Sequence, residues 1–299
     1  MKIMLLGANG QLGRELKRQL SSIGTVVAFS RELLDIRRYR DVSYAICRVQ
    51  PNIIVNAAAY TAVDKAETNA DLAYAVNAGA VSNLAQIARE RCLWLIHYST
   101  DYVFDGFKQS SYTETDTPNP INVYGASKLA GEAAIAISGC QHFIFRTTWI
   151  VGKDGQNFAK VILRLADQGN VLKVIDDQIG VPTSPALITR VTIDAVRAII
   201  HGKAWPKGIY HLTPKGKTSW HGVAKTLISY AAQQQVSFHA NAADIQAIKT
   251  EGYPTAAKRP MNSQLDTHKL QSELSFNLPH WKDDFLVVAK DIVAKLGTV

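Results

Sequence analysis

The first half of the chain alternates short apolar runs with longer segments in which apolar residues recur every three or four positions. The short runs predict buried strands, and the longer segments predict amphipathic helices. The predicted strands are residues 2–6, 25–29, 52–55, 93–98 and 142–146. The predicted helices are residues 11–20, 42–49, 71–91 and 123–137. Strands that alternate with helices pair in parallel through right-handed crossovers, so the sequence predicts an α/β fold with a doubly wound parallel sheet.

The second half of the chain has a looser pattern. Most of the ten prolines lie beyond residue 147, among several short helical segments, and this predicts a smaller lobe. A helix at about 185–200 is expected to return to the main sheet. We therefore expect residues 1–147, with that helix, to form a Rossmann-like domain. Residues 148–184 and 201–299 are expected to form a C-terminal substrate-binding lobe.

Composition narrows the class of protein. The 299 residues are 47% hydrophobic and 19% charged, which excludes a disordered chain and a coiled coil. No run approaches the ~18 apolar residues of a membrane span, and the run after Met1 stops at Gly7, too early for a signal peptide. Cys47, Cys92 and Cys140 are widely spaced and odd in number, which predicts free thiols. We expect a soluble, cytoplasmic protein with no membrane partner.

The net charge of +8 raises the question of a polyanionic partner. The basic residues are scattered, and the densest run, residues 37–40, lacks the interleaved aromatic side chains on which bases stack. We therefore expect no nucleic-acid partner.

A glycine-rich turn joins the first strand to the first helix. A tight turn with bare backbone at a helix N-terminus lets N–H groups and the helix dipole bind a pyrophosphate. A plain strand-to-helix turn is the alternative, but the strand before it and the helix after it favour a dinucleotide. The three-residue spacing of the glycines is typical of short-chain dehydrogenases/reductases. The predicted contacts are Gly7, Gly10, Gln11, Leu12 and Gly13.

Ser30 and Arg31 follow the second strand, at the position where an acidic residue would bind the adenosine ribose hydroxyls. A serine and an arginine can donate charge-assisted hydrogen bonds to a 2′-phosphate. This pair predicts NADPH rather than NADH, unless Arg31 is only a solvated surface charge. Asp35 is expected to face the adenine.

Tyr124 and Lys128 have the i, i+4 spacing that places two side chains on one helical face. Tyrosine titrates near ~10, and a nearby cation lowers that pKa, so we expect Lys128 to activate Tyr124 as a proton donor. A tyrosine and a lysine at this spacing are expected about once by chance in a chain of this composition, so the pair alone is weak evidence. A hydroxyl from Thr100, at the end of the fourth strand, is expected to reach the same crevice.

These residues resemble the dTDP-4-dehydrorhamnose reductase family of the extended short-chain dehydrogenases/reductases. The resemblance covers essentially the whole chain, and the run Ser-Thr-Asp-Tyr-Val-Phe-Asp-Gly at 99–106 is its most specific part. Two departures are Ala256, where many relatives have proline, and Ser30-Arg31 in place of an acidic position. The other matching segments are residues 7–13, 55–67, 122–132, 146–149, 177–183 and 259–266.

The resemblance implies a hydride transfer from NADPH to the C4 ketone of dTDP-4-dehydro-L-rhamnose, a step in carbohydrate biosynthesis such as that of lipopolysaccharide or O-antigen. Tyr124 would protonate the oxygen, Lys128 would hold the nicotinamide ribose, and Thr100 would bind the ketone. Further implied cofactor contacts are Ile36, Ala58, Ala59 and Tyr60. Implied contacts to the nucleotide-sugar substrate are Thr61, Val63, Asp101, Tyr102, Trp149 and Arg259.

Several alternatives stay open at this stage. Tyr102 stands where related dehydratases carry an acidic residue, so dehydration is not expected. Another nucleotide-sugar reductase, an epimerase or a non-catalytic regulatory subunit on the same fold are the alternatives. NADH use and a Mg²⁺ requirement are undecided, and no metal site is expected, because Glu15 alone is no site. A homodimer is possible.

Overall fold

A computed structural model describes residues 1–169, 171–202, 206–236, 238–274 and 276–294. The strands are β1 (Lys2–Leu6), β2 (Thr25–Phe29), β3 (Ile53–Asn56), β4 (Trp94–Thr100), β5 (Gln141–Thr147), β6 (Lys173–Ile175), β7 (Ile179–Gly180), β8 (Gly208–His211), β9 (Thr218–Ser219) and β10 (Gln246–Ile248). The helices are α1 (Gln11–Leu20), α2 (Tyr39–Val49), α3 (Val63–Ala66), α4 (Ala70–Tyr74), α5 (Ala80–Glu90), α6 (Val123–Ser138), α7 (Phe158–Asp167), α8 (Pro185–Ile200), α9 (Trp220–Gln233), α10 (His268–Leu274) and α11 (Trp281–Val293).

Six parallel strands form the central sheet in the order β2-β1-β3-β4-β5-β8. The predicted doubly wound α/β fold is confirmed. The strand order reverses between β1 and β3, and such a switch point leaves a crevice at the carboxyl ends of the two strands. The glycine-rich turn after β1 and the segment after β3 therefore lie side by side.

Both faces of this sheet are covered by helices. On one face Ile3 and Leu5 of β1 pack with residues of α1 and α8, whereas on the other Met4 and Leu6 pack with residues of α2 and α5. Alternate strand residues point to opposite faces, so burial of both sets makes the strand apolar throughout. This explains why the strands were recognisable from continuous apolar runs.

The segment predicted as one helix at 71–91 is interrupted. After α4 the chain makes a π-helical turn, Ala75–Gly79, before α5 begins. The side chain of Asn77, in this turn, is buried and bonds to the Tyr60 backbone and the Ser127 hydroxyl. A Cβ at Gly131 would lie 2.2 Å from Asn77 O. The wider turn thus fits where α6 approaches most closely.

A separate apolar core lies in the C-terminal part of the chain, where α7, α9 and α11 pack together through residues such as Ile162, Leu227 and Phe285. The predicted boundaries are wrong at β8, because this strand falls in 201–299 and yet is the edge strand of the main sheet. The two-domain division stays a prediction. In the described part of the chain, none of the helices has the length and apolar character needed to cross a membrane.

Candidate active site

The glycine-rich turn is shaped by close backbone contacts. Gly7 has φ +77, and a Cβ there would lie 2.5 Å from Ala58 N. A Cβ at Gly13 would lie 2.0 Å from Gly7 O. Gly10 stands immediately before α1, and its N–H donates to Gly7 O at 3.1 Å. The turn thus keeps bare backbone at the start of α1, which fits the pyrophosphate of a dinucleotide.

A cleft of about 210 Å³ opens beside this turn. The predicted cofactor residues that line it are Gly7, Gly10, Arg31, Asp35, Ile36, Ala58, Ala59 and Tyr60. Leu12 is buried beneath the turn. Gln11 instead connects α1 to the lobe, since its Oε1 accepts from Gly152 N and Asn157 Nδ2, both at 3.0 Å.

Charged groups of both signs stand on the rim of the cleft. Arg31 is exposed there, whereas Ser30 is buried and its hydroxyl bonds to Glu32, which lowers the pKa of Glu32. Asp35 is paired with Arg37 at 2.5 Å, and hydrogen bonding by Arg37 lowers the pKa of Asp35 to about 2. Arg31 is therefore the predicted rim residue best placed to meet a phosphate, while Ser30 faces Glu32.

The start of α6 brings Tyr124 to the end of β4. Asn122 caps the helix, with its Oδ1 accepting from Gly125 N at 2.8 Å. A Cβ at Gly125 would lie 2.0 Å from Tyr102 O, so glycine allows the close approach. The Tyr124 ring meets the Tyr102 ring edge-on at 5.7 Å, and its hydroxyl bonds to Thr100. The structure thus brings Thr100, Tyr102 and Tyr124 together.

The activation of Tyr124 by Lys128 stays a prediction, and the structure shows where each group lies. Burial raises the pKa of Tyr124 to about 12, the Thr100 hydroxyl opposes the rise, and the charge of Asp101 adds to it. The Lys128 side chain is directed to β4, where Nζ lies 2.6 Å from Tyr98 O and 3.2 Å from His97 Nε2. Burial lowers the pKa of Lys128 to about 8.

Asp101 extends the group at the end of β4. The Thr100 hydroxyl donates to Asp101 Oδ1 at 3.0 Å. Burial raises the pKa of this carboxyl to about 7, against the hydrogen bonds from Ser263 and Thr100. Two hydroxyls and a carboxyl group that titrates near neutral pH therefore meet where a ketone oxygen could be protonated.

The remaining predicted substrate residues surround this group more loosely. Thr61 is exposed ahead of α3, and Val63 begins that helix. The Arg259 guanidinium is already bound by Asp64, with Nη1–Oδ1 and Nη2–Oδ2 distances of 3.0 and 2.7 Å. A diphosphate would therefore have to share Arg259 with Asp64.

Trp149 is held by its neighbours. It has φ +38, its ring stacks on Trp220 with centroids 3.8 Å apart, and a Cβ at Gly180 would lie 2.7 Å from its Cζ2. A tryptophan in this strained backbone region persists only where surrounding contacts fix it. A role against the sugar stays a prediction for this residue.

Sequence reasoning missed several polar residues around the site. Asn77 Oδ1 accepts from Tyr60 N at 2.8 Å, and Glu67 Oε1 accepts from Val123 N at 2.9 Å. Asn56 ends the apolar run of β3 and His97 interrupts that of β4, and both are buried; these polar residues were the available signal. The described residues contain no group of three or more His, Cys, Asp or Glu able to hold a metal ion.

Comparison with known proteins decides the family. A family model, the RmlD substrate binding domain, matches residues 1–293. A dTDP-4-dehydrorhamnose reductase of Salmonella typhimurium is 41% identical over 286 residues, covering 94% of this chain and 95% of that protein. The chain belongs to the dTDP-4-dehydrorhamnose reductase family.

Other members of the dTDP-4-dehydrorhamnose reductase family agree in length and structure. The reductase of Burkholderia thailandensis is 39% identical over 298 residues, or 99% of this chain and 100% of that protein. A crystal structure of the Bacillus anthracis reductase in complex with NADP superposes with a TM-score of 0.87 at 35% identity, covering 96% of this chain and 98% of that one. The resemblance inferred from the motifs is thereby confirmed.

Proposed function

We propose that this chain is an oxidoreductase that uses NADPH to reduce the C4 ketone of dTDP-4-dehydro-L-rhamnose, forming dTDP-L-rhamnose. The observation that carries the proposal is the meeting of Thr100 and Tyr124 at the end of β4, one helical turn from the buried Lys128. The glycine-rich turn and its cleft supply the dinucleotide site. The names of the family's members supply the substrate.

The nicotinamide of bound NADPH supplies the hydride. Tyr124 donates its proton to the C4 oxygen; even with a pKa of about 12 the phenol can do so, because the alkoxide that forms is a stronger base. Thr100 orients the oxygen through its hydroxyl, and Lys128 holds the nicotinamide ribose. Asp101, Tyr102, Thr61, Val63 and Trp149 would surround the sugar, and Arg259 would meet the diphosphate.

NADPH is favoured over NADH by Arg31, whose exposed guanidinium at the cleft can bind a 2′-phosphate. The Bacillus anthracis relative is described in complex with NADP. Glu32 stands next to Arg31 and repels a phosphate, so we expect preference rather than strict selectivity. No step through Mg²⁺ is proposed.

The proposed function is tested by kinetics with Tyr124→Phe. We expect this variant to lose turnover of dTDP-4-dehydro-L-rhamnose by a factor of about 10²–10⁴, the usual contribution of a general acid, while the Kd for NADPH stays within about twofold. Activity close to wild type would exclude Tyr124 as the proton donor. A wild-type chain that binds NADPH and consumes none with this substrate would favour the regulatory-subunit alternative.

Three further expectations belong to this proposal. Residues 148–184 and 201–299, apart from β8, would form the sugar-binding lobe. The protein would be cytoplasmic. It would form a homodimer, which sedimentation equilibrium tests directly: a monomer mass at micromolar concentration would contradict it.

A further inference from the structure

A buried polar chain lies beneath the proposed active site, and the reaction as described leaves two of its members unused. Asn56 ends β3, His97 lies within β4 and Lys128 within α6, and all three are at most 2% exposed. Asn56 Nδ2 lies 3.1 Å from His97 Nδ1, and His97 Nε2 lies 3.2 Å from Lys128 Nζ. Because both ring nitrogens are in contact, each hydrogen bond constrains the direction of the other.

The backbone fixes the direction of the first hydrogen bond. Asn56 Oδ1 accepts from Ala58 N at 3.1 Å, and the reverse amide orientation would set two donors against each other. The amide nitrogen therefore faces His97 and donates, so Nδ1 must be the unprotonated acceptor. A neutral imidazole carries a single hydrogen, which is then on Nε2. The imidazolium is disfavoured as well, because burial lowers the pKa of His97.

The hydrogen on His97 Nε2 points at Lys128. An ammonium group offers only donors, whereas a neutral amine has a lone pair that can accept. The contact is satisfied only when Lys128 is a neutral amine, which accepts from Nε2–H and donates to Tyr98 O at 2.6 Å. Burial favours the neutral form too, in line with the lowered pKa of about 8 for Lys128.

The charges around Lys128 do not reverse this preference. Glu132, one turn further along α6, raises the pKa of Lys128, but its carboxylate is bound by the buried Arg146 of β5 at 2.6 Å. Tyr124, one turn earlier, is a neutral phenol with a pKa of about 12. The neighbours from β3 and β4 are the neutral Asn56 and His97 and the Tyr98 carbonyl.

We propose that Asn56 and His97 hold Lys128 as a neutral amine, and that NADPH binding is coupled to protonation of this amine by solvent. The inference rests on the proposed function, in which Lys128 contacts the nicotinamide ribose. The phosphates of NADPH favour the ammonium, and the ribose hydroxyls accept its hydrogens once the amine no longer accepts from His97 Nε2–H. His97 is a positioning residue, since it acts on the nicotinamide ribose only through Lys128.

The coupling is measured by isothermal titration calorimetry of NADPH into the full chain at pH 9, in buffers of different ionisation enthalpy. With the pKa of Lys128 about 8 before binding and well above 9 after it, uptake of about 0.9 proton per site is expected. The 2′-phosphate, with a second pKa of about 6, is fully ionised at pH 9 and takes up none. Binding without proton uptake at pH 9 would overturn the proposal.

Variants show which group takes up the proton and whether Asn56 is responsible for the neutral form of Lys128. Lys128→Met cannot take up a proton, so its binding should show none. Asn56→Asp gives the Nδ1 hydrogen an acceptor and frees Nε2 to accept from an ammonium, so uptake should fall below about a third of a proton. Asn56→Ser also removes the amide that keeps the His97 hydrogen on Nε2, but it adds no charge. Proton uptake should fall in this variant as well. Wild-type proton uptake in Asn56→Ser would mean that the Asn56 amide does not determine which ring nitrogen of His97 carries the hydrogen, and would contradict the proposal.

Asp101→Asn is the matched control, because Asp101 is the other group of this site that titrates near neutral pH. It should keep the wild-type uptake, and loss of uptake in this variant would assign the proton to Asp101 and refute the proposal. Proton uptake is measured on NADPH binding alone, so the experiment does not require catalytic turnover. A working reductase that binds NADPH without proton uptake contradicts only this inference, whereas proton uptake in a protein without reductase activity contradicts only the proposed function.

Discussion

Replacing Thr100 by valine removes one hydroxyl and keeps the shape of the side chain. That hydroxyl accepts from Tyr102 N at 3.1 Å, donates to Asp101 Oδ1 at 3.0 Å and bonds to Tyr124. The variant therefore leaves a backbone N–H without its acceptor, deprives the carboxyl of a donor and removes the contact that opposes the rise in the pKa of Tyr124.

The size of each effect follows from these contacts. A buried donor left unpaired costs about 1–3 kcal/mol of folding free energy. Loss of one hydroxyl aimed at the reacting oxygen is worth about 2.7–4 kcal/mol in the transition state, a factor of about 10²–10³ in kcat. We therefore expect Thr100→Val to stay folded, with a lower free energy of unfolding, and to lose a factor of about 10²–10³ in kcat.

The assay is the initial rate of NADPH oxidation at saturating dTDP-4-dehydro-L-rhamnose, with urea unfolding of the same samples. Thr100→Ser keeps the hydroxyl and should stay within about tenfold of wild type. If folded Thr100→Val keeps more than about a tenth of the wild-type kcat, the hydroxyl does not act on the reacting oxygen and the reasoning is wrong.

Four other outcomes are expected. Arg31→Ala should raise KM for NADPH about 10–150-fold, from loss of a charge-assisted hydrogen bond worth about 1.5–3 kcal/mol, and leave KM for NADH unchanged; equal effects on both cofactors would contradict this. Gly13→Ala should abolish NADPH binding in fluorescence titrations, because its Cβ would lie 2.0 Å from Gly7 O. Glu132→Gln should lower the free energy of unfolding by about 3–5 kcal/mol, measured in urea, since it leaves a buried arginine uncompensated. Because burial raises the pKa of Asp101 to about 7, its contribution to stability is present below about pH 4 and is lost as the pH rises to 7; thermal unfolding of Asp101→Asn should lack this decline.

The parts of the site that depend on local sequence were predictable. The glycine spacing predicts a turn whose glycines at 10 and 13 approach backbone within residues 7–13. Tyr124 and Lys128 share one helical face because of their spacing alone. The five strands of the first half were predictable because burial on both faces makes them mainly apolar.

The parts that depend on which elements become neighbours were not predictable. Asn56 and His97 meet because β3 and β4 pair in a register that places these two residues opposite each other. The direction of Lys128 follows from that pair, and its expected effect on the pKa of Tyr124 stays a prediction. The residues of β8 were assigned to the lobe with the rest of 201–299, because the place of this strand beside β5 is a property of the sheet and not of the local sequence.

The central claim is most directly tested by following the transferred hydrogen. NADPH carrying deuterium at the reactive C4 position of the nicotinamide is incubated with dTDP-4-dehydro-L-rhamnose, and the sugar product is analysed by NMR. The account predicts dTDP-L-rhamnose with deuterium at the sugar C4, formed in a one-to-one ratio with oxidised cofactor. A sugar epimerised with the label still on the cofactor, or no transfer at all, would contradict it.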